Sequence, residues 1–113
     1  MTVKQAIRNA DTLRPNTIDE RMKYNWIYEL EGKVAEMMKE ETANPFPEDA
    51  ELLMGFPCEN IYELYLCAQY DIYNQDTNLY VTDYQVFNVA YSEAQAYYRR
   101  NNIPDTKGCF EVM

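Results

Sequence analysis

The chain has no histidine, a single serine (Ser92), and three glycines, Gly32, Gly55 and Gly108, that stand apart from one another. The first two shortages remove the commonest general base, the commonest transition-metal ligand, and every Ser-His or Cys-His nucleophile pair. Isolated glycines cannot build a phosphate-cradling loop. Carboxylates and tyrosines are what remain for catalysis, and acid pairs such as Glu59/Glu63 or Glu40/Glu41 read more simply as solvated helix faces. An enzyme is therefore not expected, nor a cofactor, a metal or a small-molecule substrate.

A further absence concerns charge. No lysine or arginine occurs between Glu41 and Arg99, a stretch that holds nine of the nineteen acids. Residues 1–41, 42–98 and 99–113 sum to −1, −9 and +1, so the base-free middle supplies the whole formal charge of −9. Such a surface repels phosphate, because nucleic-acid affinity rests mainly on Lys and Arg displacing counterions. Sequence-specific nucleic-acid binding is not expected. No apolar run approaches the ~20 residues that span a bilayer, and Met1 to Arg8 lacks the apolar core of a signal peptide. No membrane role is expected. Cys58, Cys67 and Cys109 are odd in number and lack metal-ligand spacing, which suits free thiols in a reducing cytoplasm.

What is present is aromatic. The chain is 47% hydrophobic and 14% aromatic, with eleven tyrosines, nine of them between residues 42 and 98. A disordered acidic tail would lack these residues, and 113 residues make one small domain.

The periodicities divide the chain into four helices. Val3, Ala6, Ile7 and Ala10 predict a first helix over about 2–12. Pro15 ends it, and Thr17 with Glu20 fits a capping box opening a second helix of about 18–42. There Ile18, Met22, Trp26, Leu30, Val34 and Met37 form an apolar stripe, with Arg21, Lys23, Glu31 and Lys39 on the face read as solvated. Three prolines, Pro45, Pro47 and Pro57, forbid helix in the next segment. Its apolar residues predict an ordered loop packed on the helices, with a short extended piece at 51–54.

Asn60 and Glu63 repeat the capping pattern before a third helix of about 60–74. The fourth, about 78–101, carries the cleanest seam: Tyr80, Tyr84, Phe87, Tyr91, Ala94 and Tyr98, in steps of four and three. The expected fold class is all-α, a small four-helix bundle-like domain over 1–104 with one long Pro-rich loop between helices two and three. Residues 105–113 are expected to form an irregular, mobile tail. Tyr84, Phe87 and Tyr91 are expected at the centre of the core, with Trp26 inside it.

One small core cannot enclose eleven tyrosines. Tyr70, Tyr73, Tyr97 and Tyr98 fall partly off the stripes and are candidates for a subunit interface, where Tyr is enriched. Phe46 and Phe56 of the Pro-rich segment join them. Each tyrosine also has a simpler reading, with its ring laid on the bundle and its hydroxyl wet.

The order of motifs resembles a known family. Thr2 to Leu13, Asn16 to Gly32 (NTIDERMKYNWIYELEG), Glu51-Leu52-Leu53 ahead of a proline, Ile61 to Tyr73 (IYELYLCAQYDIY) and Tyr84 to Tyr98 (YQVFNVAYSEAQAYY) are similar to segments of the small head–tail connectors, or adaptors, of tailed phages and prophages. The resemblance covers about residues 2–104. It implies a mainly helical subunit without catalytic residues, forming a homo-oligomeric ring that joins portal to tail around the DNA channel. It also implies assembly in the host bacterial cytoplasm and residence in the virion neck, with portal or tail-completion proteins as partners. Acids facing such a channel would keep DNA from sticking, and Glu48, Asp49 and Glu51 are the candidates.

Three rivals remain open at this stage. One is a small acidic DNA mimic that inhibits a host DNA-binding protein, although the acids are scattered among tyrosines rather than spaced like phosphates. Another is a different neck or tail-completion protein. The remotest is a carboxylate enzyme using a divalent ion, for which no Asp-x-Asp or Glu-x-x-His pattern is present.

Overall fold

Four helices account for most of the chain in the computed structural model, which describes residues 1–40 and 49–102. They are α1 (Val3–Leu13), α2 (Glu20–Met38), α3 (Asn60–Tyr73) and α4 (Thr77–Asn102). The domain is all-α, as the periodicities predict. The 41–48 part of the Pro-rich loop and the tail from 103 onward lie outside the described residues, and with them Phe46, Glu48 and Cys109.

Helix starts differ from the expected caps. Thr2 and Gln5 form the capping box of α1: the Gln5 amide donates to Thr2 Oγ1 at 3.2 Å, and the Thr2 amide donates to Gln5 Oε1 at 2.9 Å. Thr17 does not cap α2. The Asn16 side chain accepts from the Ile18 amide at 2.9 Å and donates to the Arg14 carbonyl at 2.8 Å. That local turn holds residues 14–18 out of helix, and Asp19 becomes the cap by accepting from the Arg21 amide. Asn60 likewise lies within α3, whose N-cap position, Glu59, makes no side-chain capping bond.

At its other end α2 stops at Met38 rather than 42. Lys39 adopts a left-handed conformation (φ 58°), and the amides of Lys39 and Glu40 turn back to the carbonyls of Glu36 and Ala35. This pair of bonds is a Schellman ending.

Residues 50–54 run beside the start of α1. The Val3 amide donates to the Ala50 carbonyl and the Leu52 amide to the Met1 carbonyl, making one antiparallel bridge between Thr2 and Glu51. The extended piece expected at 51–54 thus appears as a strap, with Leu52 and Met54 buried under it.

α3 is the hub. The other three helices all pack against it, α1 and α2 on one side and α4 on the other. Ile61, Tyr62, Tyr65, Leu66, Cys67, Ala68, Tyr70 and Asp71 are all buried, nearly the whole circumference of the helix. Of the core centre expected on α4, Phe87 is buried as expected and the two tyrosines are not. The most deeply buried large side chains are Tyr62, Tyr70, Ile61 and Leu66 of α3 with Ile27 and Leu30 of α2, whereas Tyr84 and Tyr91 are half-buried. A helix packed on one side can bury only one stripe; a helix covered from both sides buries nearly everything. Trp26 is half-buried, its ring 6.1 Å from that of Tyr70 and 6.3 Å from that of Tyr73.

The apolar stripe of α2 is rotated from its expected position, so Lys23 and Glu31 point inward instead of toward solvent. Each finds compensation. Lys23 Nζ donates to both Asp11 oxygens at 3.0 and 3.1 Å, and the Tyr70 hydroxyl donates to the same carboxylate at 2.9 Å. Burial opposes the charge of Asp11, but hydrogen bonds from Lys23, Asn16 and Tyr70 overcome it and hold this carboxyl below its usual range. Glu31 accepts from the Tyr62 hydroxyl at 2.6 Å and from the Leu53 amide at 2.7 Å, while the Met54 amide donates to the Tyr62 oxygen. Burial pushes the Glu31 carboxyl up despite these donors. These buried polar groups tie α2, α3 and the strap together.

Candidate interaction surface

α4 packs antiparallel to α3 after the short turn at 74–76. Its seam forms a ladder of rings, with Tyr80–Tyr84, Tyr84–Phe87 and Phe87–Tyr91 centroids 5.4, 5.8 and 5.6 Å apart. Tyr65 of α3 meets Phe87 at 5.1 Å. This inner face follows the sequence pattern closely.

The outer face is the unusual one. Between Thr77 and Ser92 the sole charged residue is Asp83, which faces Arg14 at the C-terminal end of α1 and accepts from it in a two-pronged pair at 2.9 to 3.2 Å. The solvent side of these four turns therefore carries no formal charge. It carries Val81, Val86 and Val89 instead, 49%, 47% and 60% exposed. A lone surface helix normally shows charged residues there; loss of charge together with exposed aliphatics characterises the centre of an interface. Between α3 and α4 runs an open groove of about 450 Å³, lined by Leu64, Thr82, Gln85, Val86, Val89 and Ala90 and bounded by Asn60 and Glu93.

The side of the molecule away from α4 has the opposite character. Lys4, Arg8, Arg21 and Lys33 are all exposed on α1 and α2, interspersed with the exposed acids Glu20, Glu29 and Glu36. Because α3 lies between, a base-bearing face and a base-poor face sit back to back.

The candidate interface residues separate. Tyr70 is 1% exposed and its hydroxyl is committed to Asp11, so it is a core residue and is corrected as a surface candidate. Its position off the main stripe misled because α3 buries more than one stripe. Tyr73 is exposed beside Trp26, and Tyr97 is exposed with the Arg100 guanidinium 5.9 Å from its ring. Tyr98 is half-buried and its hydroxyl donates to the Met38 carbonyl at 3.1 Å, joining the far end of α4 to α2. Phe56 is the most exposed large apolar side chain among the described residues, at 85%. Asp49 is exposed, whereas Glu51 is occupied by the Met1 amino group at 2.6 Å. Nothing in the geometry gathers these two acids with the exposed aromatics. The three valines were missed as candidates, although the readable signal was the run of α4 without an outward charge.

Chemically reactive arrangements are scarce. Among the described residues no group of three or more acids or cysteines could hold a metal, and no helix is long and apolar enough to cross a membrane. Burial pushes the Cys67 thiol up to about 12, and the Cys58 thiol is also raised, so both are held as weakly nucleophilic thiols. Comparison with protein-family models, with curated proteins and with solved structures found no match.

Proposed function

We propose that this chain is a structural virion-assembly protein, a head–tail connector subunit that meets neighbouring copies side by side in a ring between portal and tail. The observation that carries the reading is the outward face of α4, uncharged over four turns and bearing three half-exposed valines. The occupant that fits it is a second copy presenting its α1–α2 side. Lys4 and Arg8 there complement Glu93 at the edge of the groove, and the aliphatic stems of such bases cover apolar surface well. Two different patches on opposite sides of a subunit produce head-to-tail contacts, which close into rings when the rotation permits.

Size favours cooperation over tight pairing. At 26 residues, α4 is about 39 Å long and offers a footprint of roughly 400 Å², against about 800 Å² per partner in a typical stable interface. A single contact of this kind is weak, and a closed ring or a portal template supplies the rest through simultaneous contacts.

Electron microscopy of the purified chain mixed with portal tests the reading. Rings seated on portal are expected from the wild type, and none from Val86→Glu/Val89→Glu, whose helix content should be unchanged because both sites face water. Failure of the wild type to bind portal, coupled with salt-sensitive binding to a basic nuclease, would favour the DNA-mimic alternative instead.

A further inference from the structure

The corner where α1, α3 and α4 meet holds two carboxylates and one guanidinium. Asp71, in the last turn of α3, is 3% exposed. Asp83, in the second turn of α4, lies within hydrogen-bonding reach of it. Arg14, the C-cap of α1, spends its fork on Asp83, and its Nε stands 3.8 Å from Asp71 Oδ1, too far for a hydrogen bond. Among the described residues no donor reaches Asp71 Oδ2, which is fully enclosed. An ionised carboxylate with a buried, undonated oxygen beside another carboxylate is strongly disfavoured. A proton on Asp71 removes the conflict, because the acid O–H then donates to Asp83 while Asp83 keeps its pair with Arg14.

We propose that Asp71 and Asp83 share one proton beneath Arg14, and that loss of this proton loosens the first turns of α4 from α3 and α1. The site is a proton-operated latch on the helix that carries the candidate interaction surface, yet it rests on the geometry of this corner and not on the connector reading. The groups acting on Asp71 are Asp83 from α4, Arg14 from α1 and Asp76 from the turn, with the Cys67 thiol of α3 in the same corner. Burial first, then Asp83, raise the Asp71 carboxyl from 3.8 to about 7, and Arg14 offsets this only in part.

The sign follows from proton counting. The folded state holds the proton to higher pH than the unfolded chain does, so the stabilisation is fully present below the ordinary Asp range and is lost as pH rises through about 7.

Three measurements test the latch. Carboxyl-carbon NMR of the wild type should show one Asp side chain titrating near neutrality, and Asp83→Asn should move that titration downward by removing the neighbouring carboxylate and freeing Arg14 for Asp71. In denaturant unfolding, the folded-to-unfolded ratio of the wild type should fall about fiftyfold between about pH 5 and pH 7 relative to Asp71→Asn. Amide exchange should show protection at residues 77–86 falling over the same interval in the wild type and staying level in Asp71→Asn. An Asp71 that titrates in the acidic range, an Asp71→Asn protein keeping the wild-type pH slope, or unaltered α4 protection across the titration would each overturn the proposal.

Discussion

Individual side chains decide how this small domain solves its polar burial. Glu31 is the clearest case, since one carboxylate satisfies a tyrosine hydroxyl from α3 and a backbone amide from the strap. Truncation leaves both donors enclosed without an acceptor. Glu31→Ala is therefore expected to lose about 2–4 kcal/mol, read as a lower urea midpoint with an unchanged slope. The charge of Glu31 was legible in the sequence, but its direction was not: periodicity gives a stripe without fixing its rotation by one position. Here the donors that admit Glu31 come from residues 22 and 31 places further along the chain, Leu53 and Tyr62. The same holds for Lys23, whose Asp11 partner belongs to another helix. Tyr70 was legible as aromatic and slightly off-stripe, which on a hub helix means core.

At the level of elements, helix identity and number followed from the apolar periods and from Pro15, whereas the ends depended on short-range competition. Asn16 withholds two residues from α2, and Lys39 stops it early. Lys39 is a non-glycine residue at φ 58°, a conformation that costs an L-residue about 1 kcal/mol relative to glycine. Lys39→Gly should accordingly raise the unfolding free energy by roughly 1 kcal/mol, visible as a thermal midpoint several degrees higher. Gly32 presents the reverse situation. A Cβ there meets nothing within 4 Å, so Gly32→Ala should stabilise α2 by about 1 kcal/mol. Calorimetry of both variants, and of the pair combined, checks the two assignments, since the sites are far enough apart along the helix for their effects to add.

Across the whole molecule the dominant property is polarity between two sides. Exposed bases lie on α1 and α2 among acids such as Glu20, Glu29 and Glu36, and the α3–α4 side has none until Arg99. Copy-to-copy contact built on that contrast should weaken with salt, by roughly tenfold between about 50 and 500 mM. Mixing Val86→Glu/Val89→Glu with Lys4→Glu/Arg8→Glu should give a one-to-one pair that cannot grow, each being monomeric alone in sedimentation. A symmetric α4–α4 contact would instead leave Lys4→Glu/Arg8→Glu paired with itself. The charge blocks behind this prediction were plain in the sequence; that α3 places them on opposite sides required the packing.

The placement of the rings has a practical consequence. The one indole, Trp26, sits with Tyr70 and Tyr73 where α2 meets α3, while the rings of Tyr80, Tyr84, Phe87 and Tyr91 belong to the opposite layer. The seam between α2 and α3 thus possesses a reporter of its own. Emission from the indole follows separation of α2 from the hub, amide exchange along 77–92 follows detachment of α4, and a lag between the two signals on unfolding would reveal which layer departs first.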